Sequence, residues 1–369
     1  MSKKKVSRRE FLKNAGAVVG GAAVGTSLMG LSSCATTGGS SVKDIKWDRT
    51  TDVVVIGTGC GLAAAIEAKE AGSDVIILEK NDWVGGLFIS AGGQNMWGGT
   101  KIQRQNGIQD TKEAWYEDEW NGCHRRGVPE LIRTYVNRAD DTLEWFEKLG
   151  VTWRIAGHGN PEIQRVNRSH RPIQNAALDP DHYDATGWNQ TIVMKKRVEE
   201  LNIPILFKHR MTKIHRDGDG PVVGIEAQFG NGTINIKARK AVIVCTGSWT
   251  DTERMAALYD PRIVGPDTYG DGGTPCDGHM FVDSSGDGHI AVANVGGAFT
   301  DMTFVAYLYL FFGSRSYWGC EPEEWTSGRN LQTGKGVSRT TDFYKNIVLV
   351  KNDGQRYIDE STGAQSAPT

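Results

Sequence analysis

The rhythm of apolar and polar positions maps out the elements of this chain. Val53-Val54-Val55-Ile56 is an unbroken apolar run, as suits a strand buried on both faces of a parallel sheet. A glycine turn, Gly57-Thr58-Gly59-Cys60-Gly61, leads into the helix-like Leu62-Ala63-Ala64-Ala65, and Val75–Leu78 forms a second apolar run ending at Glu79-Lys80. Residues 112–122 and 129–148 read as helices. In the second, Leu131, Ile132, Tyr135, Val136, Ala139, Leu143 and Phe146 recur at helical spacing and predict core positions. Residues 157–186 are polar and irregular and predict a long loop. A helix around 188–201 and a strand at 203–207 follow. Strands near 211–216, 222–229 and 232–237 are punctuated by Asp217-Gly218-Asp219-Gly220 and Gly230-Asn231-Gly232, which predicts a β-meander. Ala241–Val244 predicts a separate apolar strand ending in Cys245-Thr246-Gly247-Ser248. Beyond residue 250 the texture changes. Residues 265–288 are rich in Gly, Asp and Thr, Ile290–Val295 is helix-like, 301–312 is apolar and aromatic, and Ile347–Glu360 reads as strand, turn and strand.

The first of these units has the chemistry of half a dinucleotide-binding fold. Gly57 and Gly59 let the backbone turn sharply and approach a pyrophosphate. A helix opening near Gly61 aims N–H groups and a positive dipole at that phosphate. Glu79 lies 22 residues after Gly57, where a carboxylate can accept hydrogen bonds from ribose hydroxyls. Leu62 stands where the usual spacing has its third glycine, and Gly61 sits one residue early, so a shifted or shortened helix start is expected. Gly85-Gly86 and Gly92-Gly93, flanking Ser90, indicate backbone packed against a ligand or another backbone.

The N-terminus reads as a targeting segment. Lys3-Lys4-Lys5 precedes Ser7-Arg8-Arg9-Glu10-Phe11-Leu12-Lys13, which matches a twin-arginine export signal, and a small-residue run carrying five glycines spans 15–31. Leu31-Ser32-Ser33-Cys34 is similar to a lipoprotein box, with Cys34 as the residue that would carry a lipid anchor; ordinary signal-peptidase cleavage nearby is the alternative. The expected organisation is a signal at 1–34, a flexible linker at 35–49, a cofactor-binding domain at 50–250 and part of a substrate domain at 251–369. With the six Lys/Arg and one Asp/Glu of residues 1–34 set aside, 36 basic residues face 43 acidic ones, net −7. That balance argues against a nucleic-acid partner. The six cysteines form no Cys-x-x-Cys pair, so no zinc or iron–sulfur framework is expected. Asp179, Asp181, His182 and Asp184 are read as a solvated acidic loop rather than a metal site.

Ordered blocks carry a resemblance. They are Gly57–Glu79, Gly85-Gly86 with Ser90–Gly93, Arg168-Ser169-His170-Arg171-Pro172, Cys245-Thr246-Gly247, Gly286-Asp287-Gly288, and Gly354–Glu360. In this order the chain resembles the flavoprotein family of fumarate reductases, urocanate reductases and 3-ketosteroid dehydrogenases. The resemblance implies an α/β fold: a Rossmann-like FAD-binding domain with a β-meander crossover, plus part of an α+β cap domain. It implies FAD as cofactor, with Glu79 and Lys80 at the ribose, Gly57, Gly59 and Gly61 at the pyrophosphate and Met211 beside the adenine. Gly85, Gly86, Ser90, Gly92 and Gly93 would run along the flavin, and Thr246, Gly247 and Asp287 would complete the contacts. It implies hydride transfer between flavin and an activated C=C bond of a small unsaturated organic substrate. Electrons would come from a separate cytochrome or quinone-linked partner. His170, Arg171 and Glu360 are the candidates for charge stabilisation and proton transfer, against purely structural roles for each. Leu308 and Ser361–Ala364 stand where the fumarate reductases carry His and Arg, which turns the expectation away from fumarate itself. The family continues past the position matching Thr369, so a truncated, non-catalytic flavin-binding fragment is the rival expectation.

Overall fold

A computed structural model of the chain describes residues 44–88, 93–157, 163–173, 187–249, 252–260 and 284–303. The expected signal, Cys34, Ser90, Gly92, the acidic loop at 179–184, Leu308 and the hairpin with Glu360 lie outside the described residues.

Arg49–Ile56 (β1) is the central strand its apolar run predicts, flanked by Val75–Leu78 (β2) on one side. Ile205–Leu206 (β6), shorter than the predicted 203–207, extends the sheet beyond β2, also in parallel. Arg210–Arg216 (β7), Val222–Phe229 (β8) and Gly232–Val244 (β9) complete a six-stranded sheet in the order β6-β2-β1-β9-β8-β7. Side chains of successive residues in β1 point to opposite faces. Val53 and Val55 join one core with Leu62, Ile66, Val75, Ile77, Trp97 and Trp115, whereas Val54 and Ile56 join another with Ile76, Leu78, Met211 and Ile225. Burial on both sides is why the run contains no polar residue.

The meander differs from expectation in one respect. The strands expected at 232–237 and 241–244 are a single 13-residue strand, β9. Its first half pairs antiparallel with β8, from Phe229↔Gly232 to Gly224↔Lys237, and its second half pairs parallel with β1 up to Ile56↔Val244. The charges that interrupt the apolar pattern do not break the strand. Arg239 pairs with Asp52 at 2.6 Å and Lys240 with Asp52 at 3.1 Å, at the exposed end of the sheet.

Gly61–Glu70 (α1) packs on the sheet between β1 and β2. Lys101–Gln105 (α2), Lys112–Gly122 (α3) and Pro129–Lys148 (α4) follow; the last two have the predicted bounds. Within the segment expected to be a loop, Ser169–Ile173 (β5) is the central strand of a small antiparallel sheet between Asn95–Met96 (β3) and Thr152–Ile155 (β4). A strand spelled Ser-His-Arg-Pro-Ile carries no β-propensity signal. It exists because buried Trp153 and His170 pack around Trp97. Gly187–Glu200 (α5) returns to the first core, and Glu253–Tyr259 (α6) and Asp287–Asn294 (α7) close the described chain.

Candidate functional site

Because β1, β2 and β9 run parallel, their carboxyl ends coincide, and ligands of open α/β sheets bind just beyond such ends. There the structure has a cavity of about 570 Å3, floored by Ile56, Leu78 and Val244. Gly57, Gly59 and Cys60 form one wall, Gly85, Gly86 and Phe88 a second, and His209, Arg210 and Met211 a third. Thr246, Gly247, Ser285 and Asp287 bound it from the last parallel strand and the start of α7.

The turn explains its own glycines. Gly57 has φ +95°, and a Cβ there would run into the Cys245 carbonyl oxygen. Gly61 is the first residue of α1; a Cβ on it would lie 3.0 Å from Val55 Cγ1 and 3.4 Å from Cys245 Cβ. Gly61 therefore does the close helix–strand packing that the third glycine of the usual spacing does. The cap residue before it, Cys60, already has helical dihedrals (φ −59°, ψ −20°), and Leu62 turns into the core fully buried. No acidic residue and no side-chain cap occupies the first turn of α1, so its positive end faces the cavity without competition.

Glu79 is 5% exposed at the end of β2. Its Oε2 accepts from Thr58 N at 3.2 Å and Thr58 Oγ1 at 2.5 Å, and its Oε1 accepts from Asn81 N at 2.9 Å and Asn81 Nδ2 at 3.1 Å. Met211 is buried and its neighbour His209 stacks on Phe229, with centroids 4.4 Å apart. Asp287 takes a two-pronged bond from Arg210 at 2.7 and 2.8 Å. Burial raises the Asp287 pKa, but the Arg210 guanidinium outweighs it and holds the carboxyl below its usual range. Lys80 Nζ lies 3.5 Å from Ser285 Oγ. The cavity thus gathers Gly57, Gly59, Glu79, Lys80, Gly85, Gly86, Met211, Thr246, Gly247 and Asp287. Gly93 is buried just before β3 and does not line it.

The donor set fits FAD. A carboxylate, Glu79, lines the cavity where a ribose would lie, an uncapped helix end and close-packed glycines suit a pyrophosphate, and Gly86 and Gly247 each have positive φ with open space where a side chain would be. Sequence reasoning missed Thr58, Asn81, His209 and Arg210. Thr58 occupies the position between two glycines where any residue satisfies the motif, and His209-Arg210 carried no signal beyond adjacency to Met211.

The two described residues expected to serve catalysis lie apart from this cavity, on β5. His170 is fully buried; Nδ1–H donates to Arg168 O at 2.8 Å and Nε2 accepts from Thr100 Oγ1 at 2.8 Å. Burial lowers its pKa, so the ring is neutral with both nitrogens engaged. In this arrangement it is a satisfied core histidine. Arg171 is half-buried, donates from Nη2 to Gln94 Oε1 at 3.2 Å, and has no partner at Nε among the described residues.

Against known proteins, the model of a family described as an FAD binding domain matches residues 52–309. A probable fumarate reductase of Shewanella frigidimarina is 27% identical over 322 residues, covering 86% of this chain and 48% of that protein. A urocanate reductase of Eggerthella lenta is 28% identical over 320 residues, covering 84% of this chain and 46% of that protein. Among solved structures, the open conformation of a flavocytochrome c3 fumarate reductase superposes with a TM-score of 0.64 at 26% identity, over 87% of this chain and 50% of that one. The chain spans about half the length of these curated relatives.

Proposed function

Because the chain belongs to the FAD-binding-domain family, we propose that it is part or all of an FAD-dependent oxidoreductase that reduces an activated C=C bond, or runs the reverse desaturation. The observation that carries this reading is the cavity at the parallel strand ends, in a chain whose relatives include fumarate, urocanate and acrylate reductases. FAD, when bound, supplies the hydride donor or acceptor. The chain's residues supply the rest. Glu79 accepts the ribose hydroxyls. Gly57, Gly59 and the start of α1 hold the pyrophosphate. Met211 lies against the adenine. The Gly85-Gly86 turn brings backbone alongside the ring system, and contact with the flavin is proposed as well for Ser90, Gly92 and Gly93. Thr246, Gly247 and Asp287 close the opposite side.

On the substrate side, Arg171, whose Nε has no hydrogen-bond partner among the described residues, is the proposed stabiliser of the negative charge that develops next to the reacting carbon. The engaged nitrogens of His170 leave Glu360 as the proposed proton donor. The proposed substrate is a small organic acid or a steroid-like enone other than fumarate. Its electrons come from a separate cytochrome or quinone-linked partner. Export by the twin-arginine route, with a lipid on Cys34, would place the protein at the outer face of the cytoplasmic membrane or in the periplasm. The domain limits 50–250 and 251–369 belong to the same proposal.

The test is spectroscopic. Purified protein is expected to show oxidised-flavin absorption bands, to bleach on anaerobic reduction, and to regain the bands when an unsaturated acid or enone is added. Protein with no flavin bands, and none after incubation with FAD, sinks the cofactor assignment. Reduced flavin that no member of a panel of fumarate, urocanate, acrylate and cyclic enones reoxidises sinks the reductase assignment.

A further inference from the structure

We propose that Thr58 is a positioning residue that locks one oxygen of Glu79, leaving the other to be taken by the ribose diol through displacement of the Asn81 side chain; this rests on the FAD reading above. Thr58 is 1% exposed between Gly57 and Gly59, at a point where the turn itself needs no particular side chain. Its hydroxyl donates to Glu79 Oε2 at 2.5 Å and accepts Gly85 N–H at 2.9 Å, and its own N–H donates to the same Oε2 at 3.2 Å. One residue therefore ties together three segments of the cavity wall: the glycine turn, the end of β2 and the Gly85-Gly86 turn.

A carboxylate offers about four lone-pair positions. Thr58 fills two on Oε2, and the backbone and side chain of Asn81 fill two on Oε1. A ribose hydroxyl can bind Glu79 only where a donor yields. The Thr58 hydroxyl is itself anchored by Gly85 N–H, and both backbone donors are fixed by the chain. The half-buried Asn81 amide is the one donor on a side chain with no second tie among the bonds to Glu79. Thr58 therefore sets the carboxylate plane, and the Asn81 amide occupies the place of a ribose hydroxyl until one arrives.

The test compares ADP with 2′,3′-dideoxy-ADP by titration calorimetry on the full chain freed of flavin. A role confined to folding weakens both ligands alike, whereas a role through Glu79 acts only on the hydroxyl-dependent difference. Wild type is expected to prefer ADP by on the order of tenfold, the usual scale of a hydrogen bond to a charged group. Thr58→Val, nearly isosteric, is expected to reduce that preference to within about twofold, Thr58→Ser to keep it, and Asn81→Ala to increase it. Circular dichroism confirms that each variant is folded. A wild-type preference retained by Thr58→Val overturns the role of Thr58, and a preference lost in Asn81→Ala overturns the exchange. Binding of FAD with no preference for the diol in wild type overturns the inference but leaves the cofactor reading standing. Wild type that binds neither FAD nor ADP overturns both.

Discussion

The most consequential single residue outside the cavity is Arg168. It is fully buried, and its guanidinium donates to Asp110 at 2.6 and 2.8 Å and to Asp118 at 2.6 Å. Room for it depends on Gly98, where a Cβ would come within 2.9 Å of Arg168 Nε and 2.8 Å of Asp110 Oδ2. Removing one member of a buried ion cluster leaves the others charged and unsolvated, which costs about 3–5 kcal/mol. Arg168→Met is therefore expected to lower stability by that amount in urea denaturation at pH 7. A change under about 1 kcal/mol would contradict this account. The same cluster sets an acid limit. Burial raises the Asp118 pKa, but Arg168 and Arg165 outweigh it and hold the carboxyl below its usual 3.8. The unfolded chain then binds a proton that the folded chain does not, so this stabilisation is complete above the unfolded value and is lost as pH falls through the lower folded one. Urea midpoints measured downward from pH 5 should fall steeply in wild type below about pH 4 and less steeply in Arg168→Met. None of this was visible in the sequence. Arg168 stands in the block Arg168–Pro172, but its partners lie 58 and 50 residues away, and no local pattern announces a pairing at that distance.

At the scale of elements, the turn from β1 into α1 shows how a shortened motif is accommodated. The helix starts early, and Gly61 takes the packing position against Val55 and Cys245. Gly61→Ala places a methyl 3.0 Å from Val55 Cγ1 and 3.4 Å from Cys245 Cβ, so these neighbours or the helix start must give by a few tenths of an ångström. The expected result is a loss of about 1–3 kcal/mol in stability, together with weaker FAD binding, since the helix end that faces the cavity moves. Fluorescence titration with FAD alongside thermal melts measures both, and a variant with wild-type melting and affinity would show that Leu62, not Gly61, sets the packing. What was legible in the sequence follows from the same logic. The apolar run of β1 is legible from pattern alone, and so are Val136, Ala139, Leu143 and Phe146 of α4, whereas Leu131 and Tyr135, expected in the core by the same repeat, are 58% and 45% exposed. Strand β9 looks like two in the sequence because its charged residues, which pair with Asp52, interrupt the apolar pattern without breaking the strand. Strand β5 looks like loop because tertiary packing, not propensity, holds it. The cavity glycines are legible for different reasons: a side chain at Gly57 would collide with the Cys245 carbonyl, whereas Gly86 and Gly247 have positive φ with open space beside them. Thr58 is not legible, because its role is a hydrogen bond to a residue 21 positions away.

At the scale of the whole molecule, the cavity is where separate parts of the chain converge. The glycine turn, the end of β2, the start of β7, the end of β9 and the residues leading into α7 all line it, and the side-chain hydrogen bonds that join them include Thr58 with Glu79 and Gly85, Arg210 with Asp287, and Lys80 with Ser285. A ligand seated there touches every one of these segments in the folded chain and none of them together in the unfolded chain. Its binding free energy therefore adds to folding stability by mass action, about 2.7 kcal/mol when free ligand stands at 100 times its dissociation constant. Stripping FAD should lower the melting temperature, and restoring FAD at that excess should return the full increment. FMN at equal concentration should return little of it. The contacts proposed for Glu79 and Met211 lie at the adenylate end, which FMN lacks. If FMN stabilises the stripped protein as well as FAD does, the cavity is not reading the ribose and adenine. The chain from β1 to β9 would then hold its ligand by the phosphate and flavin alone.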